Sequence, residues 1–389
     1  MGGASMAEAL VAAVFWGCAG VVVYSYLLYP VFVFALSRVF GRVAAAPASA
    51  VAPTAALLIA AYNESSVLEQ RIVNALETEY PEGRFEVVIA SDGSDDGTDA
   101  VCARFGDRIR AFLFPERRGK AATLAEAVAR IDADVIILSD ANTFMDPGAA
   151  ALLARWFEDP CVGAVCGRLV LTDPASGRNA DGLYWRYEAF LKSCEARLGA
   201  LLGANGAIYA MRRELLTQIP AGAIVDDFVI PLSARIRTGL RIVYEPRAVA
   251  REETAPDLRG EFGRRVRIGV GGWQSLGVLW PLLGPRYGWT ALAFWSHKVM
   301  RWACPFMLIG ALASALALSR HPLYATLAAV QLVFHAVCIV AAVAPPIPGA
   351  ARVMRLCGMF FAMNLALLVG FARWVRGGHT GIWRRTARA

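Results

Sequence analysis

Several acidic residues in this sequence follow apolar runs, where a buried parallel strand would carry them to the edge of a sheet. The run 135–139 leads directly into Asp140, and Asn142 stands two residues further on. Two side-chain oxygens at this spacing could bind a hard cation such as Mg²⁺, which takes one or two protein oxygens when substrate phosphates supply the others. The alternative is an Asx-turn pair that closes the loop. Asp146, which precedes Pro147, is interpreted as the start of a helix.

Lys120 stands where a helix is expected to begin, after Arg117-Arg118-Gly119. A lysine at the positive end of a helix dipole is mildly unfavourable unless an anion lies nearby. A diphosphate would be such an anion, and Arg118 together with the free backbone N–H groups of the first turn would add to its binding. The alternative is a solvated charge at a helix start.

Asp226 and Asp227 open a segment that is predicted to form a helix ending at Gly239. One of the two acids is explained as a helix cap, but a cap does not need both. Two neighbouring carboxylates repel each other, and this can raise the pKa of one of them toward that of a useful general base.

These residues stand among apolar strands that alternate with helices. The predicted strands are 55–61, 85–91, 109–114 and 135–139, and the predicted helices that connect them include 67–78 and 120–129. This alternation predicts a parallel α/β sheet. Ligands bind beyond the carboxyl ends of such strands, so residues 62–64, Asp92, Lys120 and Asp140 should converge on one crevice.

Other parts of the chain are too apolar for an ordinary soluble enzyme. Hydrophobic residues make up 57% of the sequence, and its mean hydropathy is +0.46. Residues 9–36 carry no charge, and roughly 20 apolar residues suffice to cross a bilayer. Further apolar runs lie at 303–318, 323–343 and 356–372. The sequence therefore predicts a polar middle between membrane segments.

A secretory signal peptide is the alternative for the first apolar run. That alternative is weaker, because Glu8 and no basic residue precedes the run, and because the run is longer than the usual ~7–15 residues. Arg38 and Arg42 follow directly. By the positive-inside rule they place the chain from residue 42 onward in the cytoplasm.

The net positive charge and the spacing of the cysteines bear on the partners of the protein and on its redox setting. The net charge is +7, but the arginines are concentrated beside apolar segments and in the tail 373–388, so anionic lipid headgroups are the favoured partner. No nucleic-acid-binding motif is visible, so we expect no nucleic-acid partner. The eight cysteines follow no zinc or redox spacing, which favours reduced thiols in a cytosolic setting.

Taken in order, eight short motifs resemble those of the membrane-bound family 2 glycosyltransferases, the group that includes cellulose, chitin-oligosaccharide and hyaluronan synthases. The resemblance covers roughly residues 54–280. The motifs are AAYNES at 60–65, SDGSDDGT at 91–98, RRGK at 117–120, SDANT at 139–143, ANGAIYAMRRE at 204–214, VDDF at 225–228, YEPRA at 244–248 and RRVRI at 264–268.

The resemblance implies a GT-A fold, which is a Rossmann-like α/β domain with a mostly parallel sheet, flanked here by transmembrane helices at both ends. It also implies an inverting sugar transfer from a nucleotide sugar, usually a UDP-sugar, with a divalent metal (Mg²⁺ or Mn²⁺) as cofactor. The implied donor-binding residues are Ala60, Tyr62, Glu64, Asp92, Lys120, Asp140, Arg264 and Arg267.

For the chemistry, the resemblance implies that Asp227, with Asp226 beside it, removes the proton of the acceptor hydroxyl. The metal would be held by Asp140 and Asn142, and would stabilise the leaving diphosphate together with Lys120 and the arginine pair. The implied acceptor residues are Asn205, Gly206 and Trp273.

Two positions depart from the family pattern. The common Gln-x-x-Arg-Trp motif keeps its arginine at Arg267 but has Ile268 in place of the aromatic residue, which leaves processivity open. Trp273 is a candidate replacement for that aromatic residue. The second departure is Asn142, which stands where a second acid is usual.

The sequence is accordingly divided into six segments: an N-terminal transmembrane helix at 1–42, a linker at 43–53, a GT-A domain at 54–260, interfacial amphipathic helices at 261–302, C-terminal transmembrane helices at 303–375 and a basic tail at 376–389. Three C-terminal spans would leave the tail outside, whereas its arginines favour the inside. A re-entrant segment, or a further crossing that includes residues 280–295, would resolve this conflict.

The predicted function is extension of a saccharide at the cytoplasmic face of the inner membrane, in polysaccharide or exopolysaccharide biosynthesis. The enzyme would be a hexosyl- or N-acetylhexosaminyl-transferase, with a nucleotide sugar, an acceptor and the lipid bilayer as partners. One alternative is the transfer of a single sugar to a lipid carrier or a lipid-linked acceptor. An alternative from another class is a catalytically inactive, nucleotide-sensing membrane scaffold.

Overall fold

The computed structural model describes residues 5–47, 52–173, 182–220, 222–253, 258–344 and 349–377. The chain divides into two compact units. Among the described residues, the helical unit comprises 5–35, 258–273, 294–344 and 349–377, and the sheet unit comprises 36–47, 52–173, 182–220, 222–253 and 274–293.

The strands of the described chain form one eight-stranded sheet in the order β3-β2-β1-β4-β7-β6-β8-β5. They are β1 Ala55–Ala61, β2 Phe85–Asp92, β3 Arg110–Phe114, β4 Val135–Asp140, β5 Thr143–Met145, β6 Val162–Thr172, β7 Tyr209–Arg212 and β8 Arg241–Glu253.

The helices are α1 Met6–Val23, α2 Tyr29–Val39, α3 Ser65–Leu76, α4 Thr98–Ala103, α5 Lys120–Ala129, α6 Ala149–Ala154, α7 Leu183–Arg197, α8 Asp226–Thr238, α9 Leu258–Leu279, α10 Trp289–Ala293, α11 Met300–Ala317, α12 Pro322–Val343 and α13 Ala351–Val375. A π-helical turn, Tyr24–Leu28, joins α1 to α2.

The parallel half of the sheet confirms the predicted α/β architecture. Strand β1 is buried along its whole length and pairs in parallel with β2 and β4, while β2 pairs in parallel with β3. Strands covered on both faces read as continuous apolar runs, which is why the sequence revealed them. Ala60 is the partner of both Ala90 and Asp140, so this register brings the carboxyl ends of the three strands to one edge.

The other half of the sheet is mixed. Strand β7 runs antiparallel to β4 and β6, β6 runs parallel to β8, and β5 runs antiparallel to β8. Strand β8 spans Arg241–Glu253, and a strand of this length was not predicted there from the sequence. Irregular register between β6 and β8, at Val162/Ala164 and Cys166/Arg168, breaks the alternation by which such strands are recognised.

Asp146 does not cap a helix, contrary to the sequence interpretation. Helix α6 begins at Ala149, after Gly148, and has no side-chain cap. The carboxylate of Asp146 instead pairs with the guanidinium of Arg251 on β8. The acid is used by a tertiary ion pair, which a local sequence pattern does not reveal.

Four helical segments of the described chain are long and apolar enough to cross a membrane: Met6–Val39, Trp289–Ala317, Pro322–Val343 and Val353–Val375. The second segment begins at Trp289, before the apolar run expected from Ala303. It passes from α10 through a π-helical turn, Phe294–Val299, into α11. Residues near Trp295 therefore belong to this segment and form no separate crossing within the described chain.

In the helical unit, α9 packs closely on α13 through glycines. A Cβ on Gly370 would lie 2.9 Å from the carbonyl carbon of Gly269 and from the nitrogen of Val270. A Cβ on Gly269 would lie 3.2 Å from the carbonyl oxygen of Ala366. The two backbones can approach this closely because neither glycine carries a side chain.

Candidate functional site

Three charged groups from different elements of the sheet unit meet beyond the carboxyl end of β4. The Lys120 Nζ, at the start of α5, lies 2.8 Å from Oδ1 of Asp140. It also lies 3.1 Å from Oδ2 of Asp226, at the start of α8. The convergence expected from the sequence is therefore present for Lys120 and Asp140, and it includes the acidic pair of α8.

The charge state of Lys120 follows from these contacts. Burial alone would lower the pKa of Lys120, but attraction to Asp140 and Asp226 outweighs it, so the pKa lies above its ordinary value. Lys120 is thus a fixed cation at the site. A cation in this position suits a phosphate-bearing ligand.

Asp227 is held by the loop that contains Asn205 and Gly206. The backbone N–H of Gly206 donates to Oδ2 of Asp227 at 2.8 Å, and the N–H of Ala204 donates to the Asp227 carbonyl oxygen at 2.8 Å. A Cβ on Gly206 would lie 3.4 Å from Oδ2 of Asp140 and 3.5 Å from Oδ2 of Asp227. This loop therefore stands between the acid of β4 and the second acid of α8.

The environment of Asp227 suits a proton acceptor. Burial raises the pKa of Asp227, and repulsion from Asp226 raises it further. The Lys120 cation and the hydrogen bond from Gly206 act in the opposite direction but do not cancel the rise. The sequence analysis expected repulsion to be the cause, whereas burial is the larger one.

Asp92 at the end of β2 is buried and satisfied by the chain itself. Its Oδ1 accepts from the backbone N–H of Arg118 at 2.8 Å and from Oγ1 of Thr123 at 2.8 Å, and its Oδ2 accepts from the N–H of Gly119 at 2.9 Å. These bonds fix the turn that presents Lys120. A contact between Asp92 and the nucleotide-sugar donor stays a prediction.

The loops after β1 and β2 are tied together by side chains. The Nδ2 of Asn63 donates to Oδ1 of Asp95 at 2.7 Å, and Asp95 N–H donates to Oδ1 of Asn63 at 3.0 Å. The first N–H of α3, that of Ser65, donates to Asp96 at 3.1 Å. Asp96, from the neighbouring loop, therefore satisfies the first N–H of α3, and the N-cap residue Glu64 provides no side-chain cap.

Three residues that were predicted to bind the nucleotide-sugar donor lie in β1 or in the loop that follows it. The guanidinium carbon of Arg117 lies 3.7 Å from the ring centroid of Tyr62, a cation–π stack at the end of β1. Glu64 is buried, and its N–H donates to Oγ1 of Thr98 at 2.9 Å. Ala60 is buried in β1. Their contacts with a donor stay predictions.

The candidate metal ligands are Asp140 and Asn142, and the structure adds a neighbour that the sequence did not reveal. Nδ2 of Asn142 donates to Oε1 of Glu252 on β8 at 2.8 Å. In the described ranges, no group of three or more His, Cys, Asp or Glu residues is arranged to hold a metal ion. A carboxylate and an amide oxygen fit a cation whose other ligands are phosphate oxygens, because such a cation needs only one or two protein oxygens.

A buried arginine that the sequence did not single out lies behind Asp140. Arg71 of α3 is 0% exposed and donates to Oγ of Ser139 at 3.2 Å. Ser139 in turn donates to the carbonyl oxygen of Ala207 at 2.8 Å. Burial lowers the pKa of Arg71 to about 9, against an opposing attraction to Asp140. The signal for this residue was its place three positions after Leu68, on the apolar stripe of the helix.

Lys192 of α7 is a second cation that the sequence did not single out. Nζ of Lys192 lies 3.5 Å from Sγ of Cys166 and 5.8 Å from the ring centroid of Tyr244. Burial alone would lower the pKa of Lys192, but Cys166, Tyr244 and Asp227 together raise it above the ordinary value. Sequence spacing gives no indication that residues 166, 192 and 227 interact.

Arg264, Arg267 and Trp273 lie in the helical unit. Arg264 and Arg265 pair with Glu261, at 3.5 Å and 2.8 Å. Trp273 packs among other aromatic rings, which are those of Trp302, Phe306, Phe371 and Trp374. The diphosphate contacts of Arg264 and Arg267 and the acceptor contact of Trp273 stay predictions.

Comparison with known proteins shows what the sheet unit is similar to. Residues 56–219 match the family model described as Glycosyl transferase family 2. Over 228 residues the chain is 28% identical to the poly-beta-1,6-N-acetyl-D-glucosamine synthase of Staphylococcus aureus (strain COL). This alignment covers 56% of this chain and 54% of that protein. Over 228 residues the chain is 27% identical to the synthase of the same name from Staphylococcus epidermidis. The chain thus spans about half the length of these curated relatives.

A solved structure shares the fold over nearly the whole chain. The mannosyltransferase PcManGT from Pyrobaculum calidifontis, solved in complex with GDP-Man and Mn²⁺, superimposes with a TM-score of 0.67. The alignment covers 95% of this chain and 98% of that one, at 21% sequence identity. The mostly parallel sheet is therefore of GT-A type, as the resemblance implied.

Proposed function

The chain carries a family 2 glycosyltransferase domain, and from this premise we propose that the protein is an inverting glycosyltransferase that moves a sugar from a nucleotide sugar to a saccharide acceptor. The observation that carries the proposal is the position of Asp227. This acid, with its raised pKa, is held by Gly206 beside the pair formed by Lys120 and Asp140. A proton acceptor and a cationic group suited to phosphates thus share one small site.

The proposed reaction is a single displacement at the anomeric carbon. Asp227 accepts the proton of the acceptor hydroxyl as the hydroxyl oxygen forms its bond to that carbon. The bond from the same carbon to the diphosphate oxygen breaks, and the bond electrons leave with the nucleoside diphosphate. Lys120 stabilises the charge that develops on this leaving group, and attack from the opposite side inverts the configuration.

Asp140 and Asn142 are the proposed ligands of a divalent metal, Mg²⁺ or Mn²⁺. Their carboxylate and amide oxygens are the kind that both cations prefer. When bound, the metal would neutralise negative charge on the leaving diphosphate.

The proposed donor is a UDP-sugar, and the transferred group is a hexosyl or N-acetylhexosaminyl residue. Support for a role in polysaccharide synthesis comes from the relatives, which are named as synthases of a poly-N-acetylglucosamine. The four apolar segments support a membrane protein, and Arg38 and Arg42 support a sheet unit on the cytoplasmic side. An inactive scaffold is less well supported, because Lys120, Asp140 and Asp227 are all in place.

The decisive test incubates the purified full chain with a panel of radiolabelled nucleotide sugars and acceptors, and measures the size of the product. We expect label in a saccharide product with one donor, and no product when EDTA removes the metal. We also expect no product from Asp227→Asn, although this variant should still bind UDP in calorimetry. Asp132→Asn, at a fully exposed acid, is the matched control and should remain active. Normal turnover by Asp227→Asn would contradict the assignment of Asp227 as the proton acceptor.

A further inference from the structure

The pair formed by Asn142 and Glu252 concerns the candidate metal site. Nδ2 of Asn142 donates to Oε1 of Glu252 at 2.8 Å, and both side chains are partly buried. Glu252 is placed by the sheet, because its partners in the register are Thr143 of β5 and Leu171 of β6. The contact therefore joins a residue just after β4 to a strand anchored on both sides.

This hydrogen bond decides which end of the amide is available to a ligand. A carboxylate only accepts hydrogen bonds, so Glu252 selects the NH₂ end of Asn142 and turns the carbonyl oxygen away from itself. Among the described residues, Oδ1 of Asn142 forms no hydrogen bond. The oxygen, which is the end that can ligate a hard cation, is thus left for that purpose.

The pair also explains why an amide can stand where a second acid is usual. An aspartate at position 142 would meet the carboxylate of Glu252 at hydrogen-bonding distance, and the two negative charges would repel. With asparagine, the second negative charge of the site is carried by Glu252, one hydrogen bond behind the ligand. The negative charge that an aspartate would carry at position 142 is thus carried by Glu252.

Resting on the proposed function, we propose that Glu252 is a positioning residue of the metal site, which orients the amide of Asn142 and supplies the second negative charge. Partners that orient metal ligands in this way typically change metal affinity about 10–100-fold when they are replaced.

The test measures binding of Mn²⁺ to the purified full chain, with and without UDP, by the electron paramagnetic resonance signal of free Mn²⁺; a solution of Mn²⁺ and UDP without protein is the blank. Glu252→Gln removes the charge, and we expect it to weaken Mn²⁺ binding about 10-fold or more. Adding Asn142→Asp to Glu252→Gln returns a carboxylate to the pair, now at position 142, and we expect the affinity to recover. Glu253→Gln, at the exposed neighbouring residue of β8, is the matched control and should bind Mn²⁺ like the unaltered chain.

Three results would overturn the inference: no detectable Mn²⁺ binding by the unaltered chain with or without UDP, equal affinity in Glu252→Gln, or no recovery in the double variant. If Glu252→Gln does not fold, Glu252→Asp takes its place, because the shorter side chain withdraws the carboxylate from Asn142; unchanged Mn²⁺ affinity in that variant also overturns the inference. Binding of UDP to the unaltered chain is measured separately. A chain that needs Glu252 for Mn²⁺ but takes no UDP contradicts the proposed donor and supports the metal-site inference.

Discussion

At the residue scale, Asp227 lies among charged groups whose effects on it differ in sign. Burial and Asp226 raise its pKa, while Lys120 lowers it. Lys120 is therefore expected to act on both halves of the reaction, because it stabilises the leaving diphosphate and also limits the rise in the pKa of the base.

The dependence of kcat on pH tests this view of the base. The carboxyl of Asp227 accepts a proton only when it is ionised, so kcat should fall as the pH drops through its folded pKa, which lies above the ordinary value of 3.8. In Lys120→Met the cation is gone, so the acid limb of the residual activity should move to higher pH. Arg104→Gln, which breaks an exposed ion pair with Glu69, is the control and should leave the limb in place. A limb that does not move in Lys120→Met would contradict the coupling.

Glu245 is a second acid with a shifted pKa, and its role is structural. Burial alone would raise the pKa of Glu245, but hydrogen bonds from Arg247, Arg155 and Trp156 outweigh it and lower the pKa to about 2. A carboxylate whose folded pKa is depressed contributes stability above its unfolded pKa, and this contribution is lost as the pH falls. The stability that Glu245 contributes is therefore lost as the pH falls from about 4.5 to about 2.

We expect Glu245→Gln to lower the free energy of unfolding at neutral pH by about 3 kcal/mol, the value of a shift of this size. In this variant, stability should fall less between about pH 4.5 and 2, because Glu245 no longer contributes to the acid-induced loss. Denaturation followed by tryptophan fluorescence at several pH values measures both effects. Glu253→Gln on the same strand should behave like the unaltered chain, and an equal pH dependence in Glu245→Gln would refute the assignment.

At the element scale, the helical unit depends on the close packing of α9 on α13. In Gly370→Ala the added methyl group would lie 2.9 Å from backbone atoms of Gly269 and Val270, which cannot rotate away. We expect the free energy of unfolding to fall by about 1–3 kcal/mol, which is typical when an extra methyl group is forced into a well-packed contact. Gly263→Ala on α9 is the control, because a Cβ there meets nothing within 4 Å. The melting temperature of the detergent-solubilised chain measures the difference, and equal values for the two variants would exclude the tight contact.

The elements also show why only part of the fold could be predicted from the sequence. Strand β1 was predicted at its observed bounds, Ala55–Ala61, because a strand buried on both faces is apolar throughout. Strand β6 was missed, since glycines and Arg168 interrupt its apolar pattern. In the site, Lys120 and Asp140 were predicted to converge because Lys120 follows β3 at the start of a helix and Asp140 stands at the carboxyl end of β4. Glu252 was not, because its partner Asn142 is distant in sequence and is reached only through the antiparallel pairing of β5 with β8.

At the scale of the whole molecule, the candidate spans set the side on which each end of the chain lies. If all four apolar segments cross the membrane, three crossings separate the sheet unit from the tail after Val375. The tail would then lie on the opposite side, although its arginines favour the side of the sheet unit. An alkaline phosphatase reporter, active only outside the cytoplasm, should therefore be active when fused at residue 389 and inactive when fused at residue 53. Inactivity at both positions would mean that one of the segments does not cross.

The bond from Ser139 to the carbonyl oxygen of Ala207 has a practical consequence for engineering. Through it, buried Arg71 and the end of β4 hold the same loop that presents Gly206 to Asp227. A chimaera that exchanges residues 203–208 to alter acceptor preference would thus disturb the strand that carries Asp140. A graft that is meant to preserve donor affinity therefore has to transplant positions 71 and 139 together with the loop.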